Sequence, residues 1–400
     1  MSQVIEYKLT DLLSLIVDNR GRSCPTADTG IPLIATNCIK DNELYPVFEN
    51  LRFVDEATYS TWFRAHPIPG DIIFVCKGSP GRTALVPDPV TFCIAQDMVA
   101  LRADPATVNN RYLYYLLQSK ETRRKIENMH VGTMIPHFKK GDFHRLVLPI
   151  HSDLSQQLAI AEVLGALDDK IAANAKIAAT ADELAVTEYR QALASANYTD
   201  ATFADLAKVS GGGTPSTKEP AYWAGDIPWA TPTDITALAG PYLEATSRTI
   251  TEVGLSACAS ELYPEGSILM TSRATIGAFA LAQVPTAVNQ GFIVVQPNDP
   301  QLHFWIFHEM RSRVDEFISL ANGATFLELS RGNFKKFKVR TASPDIMHSF
   351  NEIAMGLHRA ARGALLENKT LATTRDALLP QLMSGKLRVR DAEAVVEALL

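Results

Sequence analysis

Two kinds of hydrophobic pattern occur along the chain, and each occurs twice. Short apolar runs bounded by turn residues predict buried strands: Asp71-Ile72-Ile73-Phe74-Val75-Cys76 and Met98-Val99-Ala100-Leu101 in the first half, Ser267-Ile268-Leu269-Met270-Thr271 and Phe292-Ile293-Val294-Val295 in the second. Turns such as Pro67-Ile68-Pro69-Gly70 and Pro264-Glu265-Gly266 separate them. Helical spacing governs residues 111–117 and 302–307, whose aromatics read as core. Two longer helical stretches, from about 154 to 194 and 345 to 379, have no internal proline. In the first, Ile160, Leu164, Leu167, Ile171, Asn174, Ala178, Ala181 and Ala185 alternate +4 and +3; in the second, Ile353, Leu357, Ala360, Ala364, Glu367, Leu371, Thr374 and Leu378 do the same. Both are heptad seams, expected to pack antiparallel on each other, with Asn174 helping to fix one register. A helix of about 40 residues is roughly 60 Å long, enough to hold two domains at a set separation. A helical hairpin that merely caps each domain is the alternative.

The halves also match residue by residue. Ile31-Pro32-Leu33-Ile34-Ala35-Thr36 is echoed 196 residues later by Ile227-Pro228-Trp229-Ala230-Thr231-Pro232, and Gly70-Asp71-Ile72-Ile73-Phe74 by Gly266-Ser267-Ile268-Leu269-Met270. Lys140-Gly141-Asp142-Phe143 matches Arg331-Gly332-Asn333-Phe334 at an offset of 191. A period this long means duplicated domains, not a solenoid. The expected fold is therefore α+β: two repeated mixed domains separated by two long antiparallel helices in a coiled coil, pseudo-twofold symmetric. The expected boundaries are 1–150 for the first domain, 151–197 for the central helix, 198–342 for the second domain and 343–400 for the C-terminal helix and tail.

Composition narrows the function. Residues 274–298 carry no charge, but Pro285, Asn289, Gln290 and Gly291 break them, so buried strands are expected and no membrane association. The start, Met1-Ser2-Gln3-Val4-Ile5-Glu6, lacks a basic region followed by an apolar run, and five cysteines form no CxxC pair. Both features suit reduced thiols in a cytoplasmic protein. Net charge is −6, yet residues 1–150 hold 17 Lys/Arg against 16 Asp/Glu, and the bases cluster. They run together at Arg123-Arg124-Lys125, at Phe138-Lys139-Lys140 and from Arg331 to Lys338, with aromatics interleaved in the last two. Two of these runs occupy equivalent places in the repeats. A surface kept basic at matched positions in an otherwise acidic chain is what a phosphate-tracking surface requires. Lys139, Lys140, Arg331, Lys335, Lys336 and Lys338 are the candidate phosphate contacts. Lys77 and Arg273, 196 residues apart after the shared strand, and Arg82 in the loop that follows Lys77 are candidate base readers, since Arg is the commonest bidentate partner of guanine.

Catalytic motifs are missing. No GxxxxGK[ST] and no GxGxxG after a strand occurs, and Gly211-Gly212-Gly213-Thr214-Pro215-Ser216 lacks the lysine of a phosphate loop, so it reads as a turn. His130, His137, His144 and His151 recur every seven residues, but Gly132, Pro136, Gly141 and Pro149 prevent one helix from aligning them. Asp345 and Glu367 would stand about 33 Å apart on one helix, too far to share a metal. No catalytic or metal-binding residue is therefore assigned. The choice lies between a reader of nucleic acid and a protein-interaction scaffold with two ligand-binding domains on a coiled coil.

Gly212-Gly213-Thr214-Pro215-Ser216, Tyr222-Trp223, Gly225-Asp226-Ile227-Pro228-Trp229 and Asp234-Ile235 together resemble the opening of a target-recognition domain of type I restriction-modification specificity subunits. Leu379-Pro380-Gln381-Leu382-Met383-Ser384-Gly385-Lys386-Leu387 resembles the end of that family's conserved helix. The first half departs, having Asn19-Arg20-Gly21-Arg22-Ser23-Cys24-Pro25-Thr26 at the corresponding place, where Arg20 and Arg22 become candidate DNA contacts. The resemblance implies a non-enzymatic subunit in which each domain reads one half of a split double-stranded DNA target. It implies that the helices fix the gap and dock two methyltransferase subunits, and that restriction/translocase subunits join the complex. No cofactor is expected in this chain; S-adenosylmethionine, ATP and Mg would belong to those partners.

Overall fold

The computed structural model describes residues 3–19, 22–41, 43–129, 135–273, 275–321 and 327–400. It divides into two compact units, Met1–Ala173 with Asn368–Leu400, and Asn174–Glu367. Both boundaries fall inside the long helices, Leu154–Leu193 and Pro344–Met383, so each unit contains part of each helix. The second helix continues past the expected end through Pro380, which lies in its last turn.

In the first unit a four-stranded sheet runs in the order Leu13–Asp18, Met98–Ala103, Ile72–Val75, Thr83–Leu85. Its central strand alternates between two cores. Ile72 and Phe74 face the helix Asn110–Gln118 and the long helices, while Ile73 and Val75 face a smaller cluster with Ile34, Phe92 and Ile94. Burial on both faces explains why this strand reads as a continuous apolar run. Beside it lies a three-stranded sheet, Arg52–Val54, Ile31–Ile34, Cys93–Ile94. The antiparallel ribbon Val4–Lys8 with Val147–His151 closes the unit.

The second unit repeats this plan. Its main sheet runs Ala207–Gly211, Phe292–Pro297, Ile268–Thr271, Phe279–Ala282, with Tyr242–Leu243 as a fifth, parallel edge strand. The small sheet is Thr249–Ile250, Trp223–Ala230, Ala287–Val288, and the closing ribbon is Asn197–Thr202 with Lys338–Thr341. Register is preserved: Ile72 faces Leu101 as Ile268 faces Val295, and Leu33 faces Cys93 as Trp229 faces Ala287.

Within the units the long helices run antiparallel. Arg375 Nη1 reaches Asp168 at 2.6 Å and Asn368 Nδ2 donates to Ile171 O at 3.0 Å in the first unit; Asn174 Nδ2 donates to Glu367 Oε2 at 2.7 Å in the second. Asn174 is buried, as a register-fixing polar seam residue must be. Ile160, Leu164, Leu167, Leu371 and Leu378 are buried, and Ile171 and Leu357 half-buried. Ile353 is a correction to the expected seam: it is 45% exposed. The first turns of that helix instead bury Met347, Phe350, Ala354 and His358, which pack with Tyr189 and with Trp305 and His308 of the helix His303–Arg311. The domain's own aromatic helix, not a strict heptad, selects that face.

Candidate nucleic-acid interface

The Gly-Gly-Thr-Pro-Ser segment of the second unit is a turn pinned on both sides. A Cβ on Gly212 would lie 2.0 Å from Val288 O, and one on Gly213 2.6 Å from Ala259 N, so only glycine fits either position. Gly213 N donates to Val288 O at 3.1 Å, Trp229 Nε1 to Gly213 O at 3.1 Å, and Trp223 Nε1 to Ser216 O at 3.0 Å. Arg248 stacks over Trp223, its guanidinium carbon 3.6 Å from the ring centroid. Asp234 caps the helix Pro232–Thr236: its Oδ2 accepts from Thr231 N and Oγ1 and its Oδ1 from Ser247 N. Burial pushes its carboxyl up, but these bonds outweigh burial and hold it below the ordinary aspartate range. The motif residues Gly212, Gly213, Trp229 and Asp234 therefore shape a loop.

That loop forms one wall of a cleft of about 490 Å³, lined by Gly212, Arg273, Gln290, Glu328, Arg331 and Lys335 among others. Three candidate contacts thus meet. Arg273 is tied to Glu328, by a backbone bridge and by an ion pair at 2.8 Å. Arg331 opens the short helix Arg331–Lys335, whose N-cap Ser330 accepts from Asn333 N at 3.1 Å. Its side chain runs across Gly211, where a Cβ would stand 2.9 Å from Arg331 Cδ. Thr214 Oγ1 donates to Oε1 of Gln290, which lines the cleft.

The first unit places different side chains on the same frame. Lys77 bridges His137 as Arg273 bridges Glu328. Lys140, the counterpart of Arg331, is ion-paired with Asp18, which stands where the second unit has Gly211. Arg82 and Arg123 share Asp41 at 3.1 and 2.5 Å. Burial would raise that carboxyl, yet the two guanidiniums hold it low. Arg22 stacks over Trp62 at 4.8 Å. Arg20 lies outside the described residues.

Lys139, Arg331, Lys335 and Lys336 are exposed and make no ion pair among the described residues. Lys338 is exposed too, but it sits on the closing ribbon and binds Asp200 at 2.8 Å. Neither Lys336 nor Lys338 lines the cleft. Gln290, which lines the cleft, and its counterpart Gln96 are not legible as site residues from local sequence. The signal for the glutamines is their recurrence at an offset of 194, visible once the strands are aligned.

The seven-residue histidine spacing makes no cluster. His137 is in the bridge to Lys77, His144 Nδ1 is 2.8 Å from Gly141 O, and His151 Nε2 is 3.3 Å from Leu382 O; His130 lies outside the described residues. Among the described residues no group of three or more His, Cys, Asp or Glu side chains could hold a metal, and no helix is long and apolar enough to cross a membrane.

Comparison with known proteins agrees with this duplicated architecture. Residues 3–182 and 196–369 each match the type I restriction modification DNA specificity domain. The chain is 37% identical over 143 residues to the type I restriction enzyme MjaIX specificity subunit of Methanocaldococcus jannaschii, covering 35% of this chain and 33% of that one. It is 26% identical over 186 residues to the HindI specificity subunit of Haemophilus influenzae, covering 46% and 40%. These matches span well under half the length of either relative. A crystal structure of the type I restriction-modification system S subunit from M. genitalium shares the fold, with a TM-score of 0.59, 16% identity and 96% of both chains covered. Matched by that domain twice over most of its length, this chain belongs to the type I restriction modification DNA specificity domain family.

Proposed function

We propose that this chain is the non-catalytic DNA-recognition subunit of a type I restriction-modification complex. Each unit reads one half of a bipartite double-stranded target. The observation that carries this reading is the recurrence of one cationic frame. Lys77 and Lys140 in the first unit stand where Arg273 and Arg331 stand in the second, on equivalent loops beside an equivalent glutamine. Matched backbone with exchanged side chains is what two readers of different half-sites need: backbone-positioned cations hold phosphates, while side-chain identity reads bases. The long helices, each passing from one unit into the other, set the undefined gap and dock two methyltransferase subunits. Restriction/translocase subunits complete the assembly, and S-adenosylmethionine, ATP and Mg enter with those partners. Action on cellular DNA makes the cytoplasm its place of work.

The test is selection of duplexes from a genomic-fragment pool by the chain co-purified with its methyltransferase subunit. Enrichment of fragments sharing two short elements at a fixed spacing is expected. Retention of protein or carbohydrate ligands without enrichment of any sequence would favour the scaffold.

A further inference from the structure

The turn that carries Lys140 in the first unit and Arg331 in the second is one element with two charge patterns. Lys140–Arg145 and Arg331–Lys335 are short helical turns, each anchored by a buried phenylalanine at its fourth position, Phe143 and Phe334. At an offset of 191, Asp142 stands where the second unit has Asn333, His144 where it has Lys335, and Arg145 where it has Lys336. The strand end against each turn is matched as well: Asp18 pairs with Val99 as Gly211 pairs with Ile293. In the first unit Lys140 is ion-paired with Asp18, and Arg145 with Asp142 at 3.4 Å. In the second unit neither carboxylate is present, and Arg331, Lys335 and Lys336 are exposed with no ion pair among the described residues. Glu328, the acid that lines the second cleft, is committed to Arg273 at 2.8 Å. Lys139, just before the first turn, has no ion pair among the described residues, and the second unit has Ser330 at that place.

Local net charge decides the sequence-independent part of DNA binding, because each phosphate that a protein neutralises releases counterions. A half-exposed pair such as Lys140 with Asp18 stabilises the fold little. Its consequence is for binding. Asp18 is held on a strand and cannot withdraw, so a phosphate that approaches Lys140 meets a carboxylate beside it. Lys140 then offers the DNA backbone no net charge, whereas Arg331 lies over a glycine and offers all of its own. A reader with a weak hold on phosphates gains little on wrong sequences, so its ratio of specific to non-specific affinity rises. We propose that the turn of the second unit supplies the larger share of the sequence-independent hold on duplex DNA, and that Asp18 is a specificity-determining residue of the first unit, cancelling Lys140 so that this unit binds by reading bases. This rests on the DNA-recognition function above.

The experiment measures affinity across a salt series for the full chain co-purified with the methyltransferase subunit proposed as its partner. The probes are a duplex of random sequence and the bipartite duplex that selection enriches. Asp18→Asn keeps the shape of the side chain and removes its charge. It should tighten binding to the random duplex, steepen the slope of log affinity against log salt by about 0.9, and lower the ratio of target to random affinity. Removing the pair together, Asp18→Asn with Lys140→Gln, should restore the wild-type slope, whereas Arg331→Gln should flatten it by about 0.9. Gly211→Asp, which brings a carboxylate to Arg331, should flatten it too. Its Cβ would stand 2.9 Å from Arg331 Cδ, so the exposed change Arg331→Gln carries the comparison if that variant melts early. An unchanged slope in Asp18→Asn, or equal flattening by pair removal and by Arg331→Gln, would overturn the assignment and leave the reader function standing. A wild-type complex that binds target and random duplexes equally would overturn the reader function, and the assignment with it.

Discussion

The two units share a backbone plan and differ in what they fix to it. At the junction of domain and long helix the first unit buries one ion pair: Asp168 accepts from Arg375 at 2.6 Å and from Tyr115 Oη at 2.6 Å. The second buries Glu309, fully enclosed, which accepts from Tyr189, Arg313 and Arg340 together. Beside it His308 and His358 face each other, their Nε2 atoms 3.0 Å apart, with Tyr242 Oη 2.8 Å from His358 Nδ1. At the cleft the contrast runs the other way: Lys140 is neutralised by Asp18, and Arg331 lies over a glycine without an ion-pair partner among the described residues. Duplication preserved the hydrogen-bond register of the sheets and allowed junctions and cleft walls to diverge. Register is over-determined by two-sided burial, whereas a loop side chain is constrained only by its few neighbours.

The largest effect should come from cutting the buried networks one at a time. Glu309→Ala leaves Arg340 without its carboxylate and Arg313 with Glu316 alone, and Asp168→Ala leaves Arg375 with the exposed Asp376 alone; removing one partner of a buried pair costs about 3–5 kcal/mol, and the second carboxylates place Arg313 and Arg375 at the low end. Hydrogen exchange resolved by segment should show the first variant loosening residues 174–367 and the second residues 1–173 with 368–400. Equal loosening of both units by either variant would deny that the junctions are separate.

Acid should divide the units next. Burial depresses His308 to about 3 and His358 to about 4, so both are neutral in the fold. Unfolding lets them bind protons below their ordinary value near 6.5, so the stability they contribute is present above that pH and lost as pH falls from 6.5 towards 4. At pH 5 the loss is on the order of 2 kcal/mol per histidine; Arg311 adds to the depression and Asp182 opposes it. Exchange at pH 7 and pH 5 should show the second unit weakening more than the first, and His308→Phe should reduce the difference.

Gly212→Ala should come third, at about 1–3 kcal/mol, because its Cβ must displace the Val288 carbonyl. Its effect on binding should be confined to one half-site, measured with duplexes mutated in either half. Neutralising Arg331, Lys335 and Lys336 together should leave stability unchanged, weaken binding to all sequences, and flatten the slope of log affinity against log salt by up to about 2.7. Lys338→Gln, whose ammonium is already engaged with the fully exposed Asp200, should change that slope least.

Much of the architecture is legible in the chain because it rests on period. The buried strands, the aromatic helices, both long helices and the 196-residue echo follow from spacing alone. Ile353 shows where period fails: its heptad position is correct, but Trp305 and His308, some fifty residues away in sequence, turn the buried face towards Ala354 and His358. The cleft fails for a related reason. Basic runs identify Arg331 and Lys335, yet nothing local tells Arg331 from Lys140. The difference lies in Gly211 and Asp18, 120 and 122 residues away respectively. Gln96 and Gln290 each stand beside another polar residue, Asp97 and Asn289, between apolar strands, and only the paired register makes them correspond.

The most direct test of the central claim, that each unit reads one half-site, is a genome-wide map of base methylation made by this chain co-expressed with the methyltransferase subunit proposed as its partner. Two defined halves around a fixed undefined gap are expected, with changes to the cleft of residues 174–367 altering one half and leaving the other intact. A contiguous motif, or a cleft change that alters both halves together, would contradict it.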